Sequence, residues 1–170
     1  MTTNLLFRRT PAPVVIGIAL AAVLGSRSTA WAQAAPLVGV WHVTVQGRDC
    51  VTNTALGPPT RDLFTYHQDG TVLASTGATV FAPGQRSSGH GTWSHTGGAT
   101  FTERVLGLLL FDTPPNSPPP LFLAGWQIIF ATITISGADQ FTATGGAQFY
   151  DLNRQLYRSG CATRVGERFK

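Results

Sequence analysis

Hydrophobic and polar residues alternate with a period of two along much of this chain. Ile133 and Ile135, for example, stand against Thr132, Thr134 and Ser136. That pattern puts one face of an extended segment in a core and the other in water. Eight strand-like segments follow: Val38–Gln46, Arg61–Gln68, Thr71–Thr76, Gly89–Thr96, Thr100–Asp112, Phe122–Ser136, Gln140–Asp151 and Gln155–Val165. No apolar stripe with the helical period is long enough to define a helix. Strands at this spacing with short turns predict an antiparallel meander. Eight is about the number at which a closed barrel is filled by its own side chains or holds one small ligand. The predicted fold is all-β: a single eight-stranded antiparallel up-and-down β-barrel with little or no helix.

Two turns predict register. Asp69-Gly70 joins the second and third strands, and a two-residue type I′ turn there places Tyr66 opposite Leu73 and His67 opposite Val72. Around Gly97-Gly98 a three-residue loop puts Trp93, His95, Phe101 and Glu103 on one face, which a two-residue loop does not. Two connections are longer. Ala82–Ser88 is polar, and Thr113–Pro120 is stiffened by its prolines. The flanks of the second, Leu106–Phe111 and Leu121–Trp126, are strongly apolar. They fit central, doubly covered strands or a greasy rim around a barrel mouth.

Ahead of the first strand the pattern changes. Arg8 and Arg9 precede an apolar run from Val14 to Leu24, and small residues follow, with Ala30-Trp31-Ala32 and Ala32-Gln33-Ala34 as cleavage-like sites. This is the layout of a secretory signal peptide. The run is shorter than the ~20 apolar residues a spanning helix needs. The expected division is a signal peptide over 1–34, cleaved after Ala32 or Ala34, and a β-barrel domain over 35–170. The expected location is secreted or periplasmic, reached by bacterial export, with no transmembrane segment in the mature form. No strongly apolar residue closely follows the arginine pair, which favours the general secretory route over the twin-arginine one.

Charge then reads differently. The whole chain carries 12 basic and 8 acidic groups, a net +4. Removing Arg8, Arg9 and Arg27 with the leader leaves nine basic groups against eight acidic ones, a net charge of +1. No basic field remains for a phosphate backbone, so no nucleic-acid partner is expected. Only 12% of the chain is charged, with 19 glycines and 11 prolines, against a usual charged fraction of ~25%. A closed barrel tolerates this, because closure removes the sheet edges that charges otherwise guard.

Cys50 and Cys161 are the only cysteines. An even count in an exported chain favours a disulfide. In a closed meander the last strand runs antiparallel to the first, so the end of strand one meets the early part of strand eight. A Cys50–Cys161 bridge would pin that seam.

Catalytic chemistry finds little support. His42, His67, His90 and His95 are scattered, and His90 and His95, five apart, point to opposite faces of one strand. A zinc site needs three or four converging ligands, so neither a metal nor another cofactor is expected. Ser94, His95 and Glu103 make a triad on paper, but neighbouring strand residues point opposite ways. His95 beside Glu103 reads instead as a satisfied polar pair in or near the lumen. No catalytic residue is assigned. Strand seven carries Ala143, Gly145 and Ala147 between Phe141 and Phe149, and strand eight carries Gly160 and Ala162. Facing inward, these small residues either leave a cavity or relieve crowding where the barrel coils. Trp41, Phe64, Trp93, Trp126, Phe141 and Phe149 are the candidate ligand-binding residues on its walls.

Gly39-Val40-Trp41 resembles the G-x-W of the calycin group, which includes lipocalins, fatty-acid-binding proteins and avidins. That resemblance implies a lipocalin-like barrel in which the tryptophan closes one end and a last-strand arginine packs across it. Gly39, Trp41 and either Arg158 or Arg164 are the expected closure residues. More of the chain is similar to small uncharacterised exported bacterial β-barrel proteins, through Arg48-Asp49-Cys50, the His67–Thr71 hairpin and the closing Tyr157–Ala162. This second resemblance implies no activity. The leading functional expectation is non-covalent binding of a small apolar ligand. A cell-envelope or extracellular structural or interaction protein acting through its surface, with an unknown protein partner, stands second. A barrel-lumen enzyme of cyclase or isomerase type stands third.

Overall fold

In the computed structural model, which describes residues 36–78, 81–82, 84–111 and 122–170, eight strands follow one another around a closed barrel. They are β1 (Gly39–Arg48), β2 (Thr60–Tyr66), β3 (Thr71–Thr76), β4 (Gly89–Gly97), β5 (Thr100–Phe111), β6 (Phe122–Gly137), β7 (Gln140–Tyr150) and β8 (Leu156–Arg168). Each pairs antiparallel with the next, and β8 returns to pair with β1. No helix occurs among the described residues. The expected signal peptide, 1–34, and the proline-rich run 113–120 lie outside them.

Alternation decides the interior. Trp41, Val43, Phe64, Tyr66, Val72, Phe101, Ile133 and Phe141 are all buried. Burying a large apolar side chain is worth about 1.5–3 kcal/mol, and most of these side chains gather at one end of the tube. Tyr66 meets Trp93 and Phe141 edge-on, at 6.3 and 6.4 Å between ring centroids. Leu37 is buried with them and accepts the Trp41 indole N–H at its carbonyl, 2.9 Å away. This is the closed end. The β2–β3, β4–β5 and β6–β7 turns lie here too.

The arginine across Trp41 is Arg168, 4.3 Å from the ring centroid, not Arg158 or Arg164. The reason is register. Strand β8 continues past the expected end at Val165, and Arg168 is the residue opposite Trp41. Its guanidinium donates to the carbonyls of Val38, Pro36 and Ala138 and faces Asp139 at 3.4 Å. It thus ties the entering chain to the β6–β7 turn. Arg164 and Arg158 lie earlier in β8, over Phe64 and Phe149 respectively.

The β2–β3 hairpin also departs from expectation. Tyr66 pairs with Val72, and Leu73 with Thr65. The loop has three residues: His67 N donates to Thr71 O at 2.9 Å and Gly70 N to His67 O at 3.1 Å. Gly70 has φ +85°, while Asp69 is not left-handed. Asp69 instead accepts from the Thr71 N–H and hydroxyl, which holds a type I turn ending in a glycine bulge. The result sets two inward residues, Tyr66 and Val72, against each other. At the β4–β5 turn Trp93 lies opposite Glu103 and His95 opposite Phe101, so these four share a face, as expected. Cys50 and Cys161 form the disulfide, with 5.2 Å between Cα atoms, at the end of the β1–β8 seam where Arg48 pairs with Cys161.

Candidate functional site: a cavity above a buried charge layer

The described residues do not fill the other half of the tube. A cavity of about 490 Å³ opens there, a size typical of small-molecule sites. Val45, Ile129, Ala147 and Ala162 form apolar walls, and Phe149 and Arg158 stand at the rim. Leu56 and Pro58 from the β1–β2 loop and Ala78 from the β3–β4 loop lean over the opening.

The small inward residues of β7 and β8 have two different jobs. A Cβ on Gly160 would meet nothing within 4 Å, so Gly160 gives space to the cavity. A Cβ on Gly145 would lie 2.0 Å from the Phe130 carbonyl oxygen. There the missing side chain lets adjacent strands coil together. Both sequence interpretations hold, at different heights of the tube.

Between the aromatic end and the cavity lies a layer of charged side chains. Glu103 and Arg164 form an ion pair at 2.5 Å, with side-chain exposures of 0% and 5%. Tyr66 Oη donates to Glu103 Oε2 at 2.6 Å. Burial is the strongest single influence and works against the Arg164 charge, but Glu103, Tyr66 and Asp62 together outweigh it and leave the pKa raised. Burial, reinforced by the negative Glu103, pushes the Tyr66 phenol well above its ordinary value. The Arg164 guanidinium also sits 5.1 Å above the Phe64 ring, a cation–π contact.

Asp62 faces the cavity from β2. Burial raises its pKa, and hydrogen bonds from the Thr76 hydroxyl at 3.0 Å and Gly77 N at 3.2 Å only partly offset this. Arg86 enters from the β3–β4 connection, where it bridges to Leu109. Its Nε donates to Gln127 Oε1 at 2.5 Å. The guanidinium rests over Gly107, where a Cβ would come within 2.9 Å of Cζ. Burial lowers the Arg86 pKa, against the pull of Asp62.

Of the six aromatic candidates, Phe64 and Phe149 line the cavity. Trp41, Trp93 and Phe141 lie below it in the closed-end core. Trp126 is outside the lumen. Its neighbour Gln127 takes the inward position, and the Trp126 ring stacks with Tyr150 at 6.3 Å. The sequence interpretation missed Asp62, Arg86 and Gln127 and gave Glu103 the wrong partner. His95 lies at the turn end, where Nε2 meets Gly98 O at 2.8 Å. Ser94 faces Thr102, 3.1 Å away, and Glu103 is engaged with Arg164 and Tyr66, so the three do not converge. Among the described residues no group of three or more His, Cys, Asp or Glu side chains could hold a metal. Glu103 stands on the inward face between Phe101 and Val105, and Asp62 stands beside the inward Phe64; a charge on an inward face is the signal that marks them.

No protein-family model matches the chain, and no curated protein matches it significantly. Among solved structures it is similar to EF1p2_mFAP2b bound to DFHBI, at 16% identity and a TM-score of 0.53, covering 82% of this chain and 99% of that one. It is also matched to Rv2717c from M. tuberculosis, at 15% identity and a TM-score of 0.38, over 83% of this chain and 98% of that one. The first of these likenesses supports the barrel fold.

Proposed function

We propose that this barrel binds a small, largely apolar molecule non-covalently in its half-empty lumen. The observation that carries this is the cavity of about 490 Å³, walled by aliphatic side chains and closed below by a fully packed aromatic end. A tube that needed only to be stable would fill that space, because unfilled core volume costs stability. The structurally similar EF1p2_mFAP2b was solved with the small molecule DFHBI, which supports this type of barrel as a small-molecule container. Export belongs to the same proposal: the disulfide across the seam supports an oxidising compartment.

Native mass spectrometry of the protein recovered from its own host tests both parts. The expected mass is that of a chain beginning at Gln33 or Ala35, with its disulfide and a dissociable small molecule. Gly160→Leu, which places a side chain in the open space, is expected to fold and to lose the adduct. Ligand-free wild-type protein, or an adduct retained in Gly160→Leu, would overturn the binding proposal.

A further inference from the structure

The outward faces of β5, β6 and β7 change character along the tube. Near the sealed end they carry threonines: Thr102 faces Thr132, Thr132 faces Thr144, and Thr134 faces Thr142. Beyond the Arg104–Phe130 pair the same faces turn apolar toward the mouth. Leu106 pairs with Ile128, Leu108 with Trp126, and Trp126 with Tyr150, whose ring stacks on it. These residues alternate along their strands with the buried Val105, Gly107, Leu109 and Gln127, so they point away from the lumen. Leu106, Leu108 and Phe130 are exposed to solvent, and the exposed Leu152, Leu156 and Tyr157 follow at the β7–β8 end of the rim. Apolar residues scattered singly on a surface need no explanation, but a contiguous exposed set rimmed by polar residues marks an interaction site.

The height of this band and the charges around it identify its partner. Leu106 and Leu110 are four residues apart on β5, roughly 13 Å of strand and roughly 10 Å along the axis of a tube with strands tilted by ~40°. A barrel that spans a bilayer needs an apolar height of about 25 Å, whereas an interfacial segment enters by about 5–10 Å. Charge is divided along the tube as well. Setting aside the buried Asp62, Glu103, Arg86 and Arg164, which balance, the mouth half carries Arg48, Arg61, Arg104, Arg154 and Arg158 against Asp49 and Asp151, and Asp112 follows β5 in the sequence. The sealed half carries Arg168 and Lys170 against Asp69, Asp139 and Glu167. The apolar band therefore lies in the positive half. An isologous contact with a second copy would set the patch and its arginines against themselves, whereas an anionic leaflet complements them. Trp126 and Tyr150 supply the amphipathic rings that settle at headgroup level.

We infer that the outer wall of β5–β7 near the mouth docks the barrel on an anionic lipid surface without spanning it. The apolar band enters the headgroup–acyl boundary, and the arginines around the mouth meet the anionic headgroups. Occupancy of the lumen plays no part in this contact, so it stands or falls apart from the binding proposal.

Co-sedimentation of the protein recovered from its own host tests this, with vesicles of phosphatidylcholine alone and of an equimolar mixture with phosphatidylglycerol. Binding to the mixed vesicles is expected to be about tenfold or more tighter than to the neutral ones, and to weaken with salt. Leu106→Ser/Leu108→Ser changes only outward side chains and should weaken binding to mixed vesicles about tenfold. Val40→Ser/Leu63→Ser, which replaces exposed apolar residues of β1 and β2 outside the band, should leave binding unchanged. Phospholipid brominated on its acyl chains should quench the fluorescence of wild-type protein, and Trp126→Phe should remove that quenching, because Trp41 and Trp93 are buried at the sealed end. No binding to vesicles, equal binding to both types, indifference to the leucine replacements or an absence of quenching would overturn the proposal. So would a dimer that forms without lipid in sedimentation velocity and is lost in Leu106→Ser/Leu108→Ser, which would assign the band to a second copy. The vesicle comparison and the quenching are read on wild-type protein, so they decide the matter even where a variant does not fold.

Discussion

Glu103 is a carboxylate with no exposed side-chain surface, placed on β5 between Phe101 and Val105. Its position is tolerable only because Arg164 and Tyr66 reach it from two other strands. Taking a charge out of water costs several kcal/mol, which a close pair with further hydrogen bonds offsets. Breaking the pair from one side should therefore be severe. Glu103→Ala or Arg164→Ala is expected to lose about 3–5 kcal/mol of unfolding free energy in denaturant titration. The double replacement Glu103→Leu/Arg164→Leu should lose much less, because no lone charge is left behind. A double variant as unstable as the worse single one would mean that the pair contributes more than mutual neutralisation. Sequence made the inward position of Glu103 legible but not its partner. Alternation gives the face of one strand, whereas an ion pair spanning the tube depends on height and reach across several registers. For the same reason His95, one inward position nearer the turn, was the wrong companion.

At the scale of strands and turns, most of the architecture was legible. The period of two located all eight strands, and their order around the tube follows from short antiparallel connections. What the pattern left open was single-residue register. Asp69-Gly70 marks a turn whether the loop has two residues or three. The choice is made by Tyr66 and Val72, which must both point inward. The partner of Trp41 was legible in principle. Antiparallel partners move apart in step, and Cys50 lies nine residues beyond Trp41. The residue opposite Trp41 must then lie about as far beyond Cys161, in the stretch Arg168–Lys170 rather than at Arg164. The small residues of β7 and β8 could not be sorted by sequence, because a glycine at a coil and a glycine at a void look alike. Substitution separates them. Gly145→Val drives a side chain into the Phe130 and Ala131 backbone, and it is expected to cost about 1–3 kcal/mol or more in thermal or chemical unfolding. Gly160→Leu, with open space before it, should leave stability within about 0.5 kcal/mol of wild type, as for a substitution that strains nothing. Equal destabilisation by the two would refute the division of the lumen into a packed and an open half.

For the molecule as a whole, closure rests on one long-range joint. Strand β1 meets β8 across almost the whole chain, and the disulfide closes a loop with a sequence separation of 111 residues. The chain-entropy account gives such a bridge a nominal value near 4–5 kcal/mol, and native disulfides of small secreted domains usually contribute about 2–5. Reduction, or Cys50→Ser with Cys161→Ser, is expected to lower unfolding free energy by about 2–4 kcal/mol. The change should be visible as a lower denaturation midpoint with little loss of strand content in circular dichroism, since the backbone ladder of the seam remains. A midpoint indifferent to reductant would mean that ring stacking and the Arg168 contacts suffice to hold the ends together.

The Arg168 knot has a directional outcome. It gathers Pro36, Val38 and the last residues of β8 at one pole, while the opening lies at the other. Any tether, tag or neighbouring module joined near residue 36 or residue 170 would therefore leave from the sealed pole. A protein immobilised at residue 36 or residue 170 would keep its entrance turned away from the support, like a cup fixed by its base.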